Sequence, residues 1–261
     1  MPDNQFLDII DLDAGYGRSQ VLFGVNIGIP WRGGVAVLGR NGAGKTTLMK
    51  TIVGELGLSR GELKFDGKDI GRRPTEERVR LGIGYVPQEH SVFARLSVRD
   101  NLAVGALYNR DGTAVDRVLA IFPKLAQRLD QPAGTLSGGE RKMLAIGRAM
   151  LGDPKLLLLD EPTEGVWIGV IEEITERLIE LAKDIAVVIV EQHLDLALRV
   201  ADHAYVLDRG RVALQARPPT SGTTRSWCGI WRPKPGLAQL FWHHFSGQPA
   251  IWSRLCPSLV P

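Results

Sequence analysis

Between an apolar run at 35–38 and a segment of helical character at 46–53 stands Gly39-Arg40-Asn41-Gly42-Ala43-Gly44-Lys45-Thr46-Thr47. A strand that breaks into a glycine-rich turn and resumes as a helix is the context in which such a loop cradles phosphate. Gly39, Gly42 and Gly44 let backbone N–H groups converge on an anion without Cβ interference, and the positive end of the helix dipole faces the same point. Lys45 is then placed to reach β and γ phosphates, and the Thr46 hydroxyl to take a place on Mg²⁺. An ordinary glycine turn with an exposed lysine would need neither the full spacing nor both flanks.

Upstream, residues 7–12 and 21–29 alternate as strands, joined by the turn Ala14-Gly15-Tyr16-Gly17. Tyr16 precedes Gly39 by 23 residues, and its ring suits stacking on a purine as well as packing at a strand edge. Downstream, the Asp66-Gly67 pair reads as a hairpin turn that adds antiparallel strands to this first lobe. The strand 83–86 ends at Pro87 and leaves Gln88 at its carboxyl end, beside the expected phosphate site. Residues 96–150 turn helical and read as an inserted subdomain, opening on a capping box in which Asp100 replaces the usual Glu after Ser97. Within it, Leu136-Ser137-Gly138-Gly139-Glu140 stands before a helix at 142–151, an exposed loop suited to a second anion, although taken alone it reads first as a flexible turn with a Ser-capped helix after it.

Four consecutive leucines, 156–159, make a strand buried on both faces and end in Asp160-Glu161. Acids that terminate a wholly apolar strand are not there for solvation. Asp160 suits Mg²⁺, and Glu161 suits polarising the attacking water as general base. An amphipathic helix beyond Val166, a buried strand at 186–190, a helix at 194–201 and a strand at 204–207 complete an α/β alternation that ends in the turn 208–211.

Composition bounds the class. No uncharged apolar stretch approaches the ~18 residues needed to cross a bilayer, and the start of the chain lacks a basic segment followed by an apolar one; the expectation is a cytoplasmic protein. The formal charge of +3 hides an asymmetry, since residues 209–261 hold seven basic groups and no acid. Residues 1–208 carry 25 basic against 29 acidic groups, which argues against nucleic acid as the main ligand.

Tyr16, the loop 39–47, Gln88, the loop 136–140 and the strand ending in Asp160-Glu161, all in one order, resemble the nucleotide-binding subunit of an ATP-binding cassette (ABC) transporter over residues 6 to about 215. The resemblance implies a P-loop NTPase cassette with a mixed-sheet core, an antiparallel β lobe and the inserted helices. It implies ATP and Mg²⁺ as cofactors, with Tyr16 on the adenine and Gly39, Asn41, Gly42, Gly44, Lys45, Thr46 and Thr47 around the phosphates. Thr46, Gln88 and Asp160 fall on the metal, Glu161 on the attacking water. Ser137, Gly138 and Gly139 match the signature that caps ATP held by a second cassette, a copy of the chain or a paralogue. The segment from Gln88 to about Leu102 matches the part that contacts the permease transmembrane subunits, with a periplasmic solute-binding protein as an indirect partner. The implied place is the inner face of the plasma membrane.

Two positions depart from the general pattern. Counting back from Ala201-Asp202 puts Gln192 where a γ-phosphate-sensing histidine usually stands and His193 one residue later, and Glu164-Gly165-Val166-Trp167 replaces Ser-Ala-Leu-Asp in the subunit-contacting loop. The Val-Glu-Gln and Glu-Gly forms resemble cassettes of branched-chain amino acid and urea or amide importers. The implied function is ATP-driven uptake of branched-chain or hydrophobic amino acids, with a urea or short-amide importer or a soluble non-transport ABC ATPase as the alternatives. Residues 216–261 fit none of this: seven of fifteen prolines and four of six tryptophans fall there without an acid or an apolar period, the pattern of a frameshift near Gln215 or of a disordered tail.

Overall fold

The computed structural model describes residues 5–89, 91–191 and 194–216, the side chains of 194 and 195 excepted. The expectations for Gln192, His193 and residues 217–261 lie outside the described residues.

Strands β1 (Leu7–Tyr16), β2 (Ser19–Ile29), β4 (Leu58–Phe65) and β5 (Lys68–Asp69) form an antiparallel sheet in the order β2-β1-β4-β5. Asp66 and Gly67, both at positive φ, make the hairpin turn that the Asp-Gly pair predicts. Strands β3 (Gly33–Leu38), β6 (Ile83–Val86), β7 (Leu156–Asp160), β8 (Ala186–Glu191), β9 (Ala201–Asp208) and β10 (Arg211–Ala216) form the second sheet, ordered β10-β9-β3-β8-β7-β6. Its ladders are parallel except for β9 with β10.

Alternation along the central strands divides the interior. Leu156, Leu158, Val188 and Val35 face one side, with helix α1 (Lys45–Val53) and the antiparallel sheet. Leu157, Leu159, Val187 and Ile189 face the other, where α3 (Val98–Gly105), α4 (Ala114–Ile121), α5 (Pro123–Ala126), α6 (Gly138–Met150) and α7 (Ile168–Leu181) supply the covering side chains. The inserted helices therefore share one core with the sheet. A short α2 (Thr75–Arg80) precedes β6, and α8 (Leu194–Val200) precedes β9.

Several expectations are corrected. Tyr16 is the last residue of β1, paired with Ser19, and the turn is Gly17-Arg18. The helix expected at 142–151 starts at Gly138: Ser137 is its N-cap, and Gly139 is buried rather than part of an open loop. Asp100 completes only half a capping box, because its carboxylate accepts from the Ser97 hydroxyl (2.6 Å) while the Ser97 Oγ accepts from its N–H (3.0 Å). The turn at 208–211 leads into β10, so the described sheet runs one residue past the expected boundary at Gln215.

Candidate functional site

Parallel register sets the site. Leu38 lies opposite Glu191, Asp160 opposite Val190 and Val86 opposite Leu159, so the carboxyl ends of β3, β8, β7 and β6 open onto one edge. At that edge β3 passes into the loop 39–44, β8 ends in Glu191, β7 ends in Asp160 with Glu161 next, and Gln88 stands two residues past β6.

The loop turns into α1 through Gly44 at φ +104°, a conformation that strains any L side chain. A Cβ on Gly44 would also meet Leu22 Cδ2 at 2.8 Å, which seats the loop on β2 and brings that end of the first lobe beside it. Asn41 and Gly42 are exposed, Gly44, Lys45 and Thr47 are buried, and Thr46 is half-buried. Lys45 Nζ donates to the carbonyls of Gly39 (2.8 Å) and Arg40 (3.2 Å) and stands 3.5 Å from Glu161 Oε1.

Glu161 is held from all sides. Its φ of +47° is costly for a residue with a side chain. Its N–H donates to Val190 O (2.9 Å), Gln88 Nε2 donates to its Oε2 (2.9 Å), and Lys142 Nζ donates to its carbonyl (3.1 Å). The same Gln88 amide reaches Glu164 Oε2 at 2.7 Å, and Lys142 also takes the Gln88 carbonyl (2.9 Å). Burial pushes the Lys142 ammonium below its ordinary pKa, against the attraction of Glu164, Glu191, Asp160 and Glu161.

Asp160 is fully buried. Burial, first, holds its carboxyl above the usual value, with the Glu161 charge adding and the Thr46 hydroxyl, Lys45 and Tyr85 opposing. The Tyr85 hydroxyl stands 3.5 Å from Oδ2, and burial followed by the Asp160 charge raises the tyrosine's own pKa. Asp160 Oδ1 is buried without a hydrogen-bond partner. A buried carboxylate oxygen left open beside a threonine hydroxyl fits a divalent cation that takes its other ligands from phosphate and water. Among the described residues no group of three His, Cys, Asp or Glu side chains forms a larger metal cluster.

The sequence-predicted residues thus divide. Lys45, Thr46, Gln88, Asp160 and Glu161 converge. Tyr16 is 48% exposed at the end of β1. Ser137, Gly138 and Gly139 are fixed elsewhere. Ser137 and Glu140 form a full capping box, Glu140 Oε2 accepting from the Ser137 N–H (2.9 Å) and hydroxyl (2.8 Å). Burial works against the Glu140 charge, but these bonds and Arg128 outweigh it and hold its pKa below normal. A Cβ on Gly139 would meet Val170 Cγ1 at 2.5 Å, and one on Gly138 would meet Gly165 O at 3.1 Å, so this turn is seated on the Glu164-to-Trp167 loop and the first turn of α7.

Sequence reasoning missed Tyr85, Lys142 and Glu191, whose carboxylate accepts from the Thr163 N–H (3.1 Å) and hydroxyl (2.6 Å). Glu191 carried a readable signal, an acid ending an apolar strand as Asp160 does. Lys142 carried none.

A family model described as "ABC transporter" matches residues 22–164. A high-affinity branched-chain amino acid transport ATP-binding protein, BraG of Pseudomonas aeruginosa, is 41% identical over 203 residues, covering 76% of this chain and 87% of that protein. A probable branched-chain amino acid transport ATP-binding protein, LivF of Archaeoglobus fulgidus, is 40% identical, covering 79% of this chain and 90% of that protein. Among solved structures, a nucleotide-free ATP-binding cassette from an ABC transporter superposes with a TM-score of 0.74 at 30% identity, over 82% of this chain and 91% of that one.

Proposed function

The chain belongs to the ATP-binding cassettes of ABC transporters, ATP-hydrolysing proteins, and from that premise we propose that it drives uptake of branched-chain or other hydrophobic amino acids. The observation that carries this reading is Gln88. Its amide is bonded to Glu161, and its chain leads directly into the segment expected to meet a permease, so one residue ties the hydrolytic acid to the membrane partner.

In this reading ATP replaces the Gly39 and Arg40 carbonyls as the partner of Lys45, releasing Nζ to the phosphates. Asn41, Gly42, Gly44 and Thr47 present the backbone and hydroxyl groups of the cradle, with Tyr16 against the adenine. Thr46, Asp160 and Gln88 would hold Mg²⁺, which neutralises charge on the phosphates when bound. Glu161 accepts the proton of the attacking water; bonds from Lys142 to its carbonyl and from its N–H to Val190 fix its strained backbone, and Gln88 steadies its carboxylate. Ser137, Gly138 and Gly139 serve the nucleotide of a second cassette.

The relatives' names support the amino acid as solute, and the Glu164-Gly165 form fits the same branch. No described helix is long and apolar enough to cross a membrane, so transmembrane passage belongs to separate permease subunits in this proposal, fed by a solute-binding protein.

The test is uptake of labelled leucine and of labelled urea by vesicles holding the chain, its permease subunits and their solute-binding protein. Expected is ATP-dependent leucine uptake that falls by ~10²-fold or more in Glu161→Gln. Urea uptake without leucine uptake would move the solute to the urea and amide branch. ATP turnover without any associating permease would instead assign a soluble ATPase.

A further inference from the structure

Lys142 is buried on α6, five residues after the N-cap Ser137. Its Nζ crosses from that helix to the carboxyl edge of the sheet and donates to the carbonyls of Gln88 (2.9 Å) and Glu161 (3.1 Å). Both carbonyls lie beyond the ladder of β6 with β7, whose last pair is Val86 with Leu159, so strand pairing does not set their spacing. The two side chains nevertheless meet, Gln88 Nε2 donating to Glu161 Oε2 at 2.9 Å. One ammonium therefore bridges the main-chain positions from which this amide–carboxylate pair springs. Burial penalises that ammonium and lowers its pKa. An apolar side chain, like Met143 and Leu144 beside it, would cover the contact of helix and sheet without that penalty. Glu161 needs the hold most. At φ +47° its backbone relaxes unless the peptide groups on both sides are fixed, the N–H by Val190 O, the carbonyl by Lys142 and, at 3.3 Å, by the Glu164 N–H.

We infer that Lys142 is a positioning residue for ATP hydrolysis: by clamping the Gln88 and Glu161 carbonyls to one point it sets where the Glu161 carboxylate stands against the attacking water. It acts through the two backbones rather than on the nucleotide. The inference rests on the reading of Glu161 as general base given above. A shift of the carboxylate by an ångström is enough to slow proton transfer while leaving the phosphate cradle, and so nucleotide affinity, as it was.

The test is steady-state ATP turnover by the full chain as parent, Lys142→Met, Glu161→Gln and the double variant. Lys142→Met keeps the length of the side chain and loses its donors. Expected is a kcat lowered about 10- to 100-fold, with KM for ATP unchanged within about twofold. Glu161→Gln alone should be slowed by ~10²-fold or more. In that background Lys142→Met should cost less than about threefold further, because the group it positions is gone. Parent-level kcat in Lys142→Met beside a slowed Glu161→Gln overturns the inference and leaves Glu161 as the base. Parent-level kcat in Glu161→Gln overturns the base reading and the inference with it. A KM that rises as kcat falls, or an equal loss from Lys142→Met in both backgrounds, assigns Lys142 a structural role and overturns the inference. If Lys142→Met does not fold, Lys142→Gln replaces it in the same cycle, and failure of that variant to fold is again the structural outcome.

Discussion

At Asp160 stability and function pull in opposite directions. The carboxyl is fully buried, one of its oxygens has no partner, and its pKa in the folded chain lies above the ordinary 3.8. An acid raised in this way binds more protons folded than unfolded, so folding stability falls as pH climbs from the unfolded value through the folded one. Above that window the cost is constant, and at neutral pH the nucleotide-free protein bears all of it. Asp160→Asn should therefore raise the melting temperature of the nucleotide-free protein at pH 7 and remove the loss of stability that Asp160 causes as pH climbs through that window. It should also abolish most of the added stabilisation that Mg²⁺ and ATP together give the parent. Calorimetry from pH 3 to 8, with and without Mg-ATP, reads all three. A variant less stable than the parent at pH 7 would show that the ionised carboxylate is well satisfied. Of these residues the acids were legible because a strand of four leucines has no other reason to end in two charges. Lys142 was not legible, because what it binds is the main chain of Gln88 and Glu161, and a carbonyl leaves no mark in side-chain pattern.

Elements here are tied together by side chains that close their ends. Arg78, 2% exposed on α2, donates to the carbonyls of Thr51 and Ile52 in the last turn of α1 and to those of Gly71 and Arg73. It thus satisfies groups that the end of the phosphate-loop helix leaves open. Removing the guanidinium would strand these carbonyls away from water. Arg78→Met keeps the stem and should cost about 3 to 5 kcal/mol of unfolding free energy in urea titration; a change under about 1 kcal/mol would show that water replaces it. In the sequence a buried arginine that caps another helix is indistinguishable from its exposed neighbours Arg72 and Arg80. β10 was missed for a related reason. Arg-Val-Ala-Leu-Gln-Ala pairs only with β9 and is half-exposed, so tertiary pairing rather than any apolar run makes it a strand. The two serine caps show how fine such distinctions are: Glu140 reaches back to the Ser137 N–H, while Asp100, one methylene shorter, reaches only the Ser97 hydroxyl.

At the scale of the molecule, the phosphate loop and the Ser137 turn are, in the proposed reading, two halves of a nucleotide site that one chain does not join. The phosphate loop, Asp160 and Glu161 occupy the carboxyl edge of the parallel strands, while Ser137 to Gly139 are seated on the loop Glu164 to Trp167 and the first turn of α7 by close glycine contacts. Trp167, at the start of α7, is 75% exposed beside that second half, an apolar surface that a partner would cover. If each nucleotide is held by the loop of one copy and the signature turn of another, lesions in the two halves should complement one another in a mixture. Lys45→Ala removes the phosphate anchor, and Ser137→Arg fills the signature turn. Each protein alone should turn over ATP at about a hundredth of the parent rate or less. Mixed in equal amounts, they form dimers in which one site joins an intact loop to an intact signature, and activity should recover to roughly a quarter of the parent rate. A steady-state ATPase assay across mixing ratios measures this, with recovery greatest near equal proportions. A mixture no more active than its components would overturn pairing between copies of this chain.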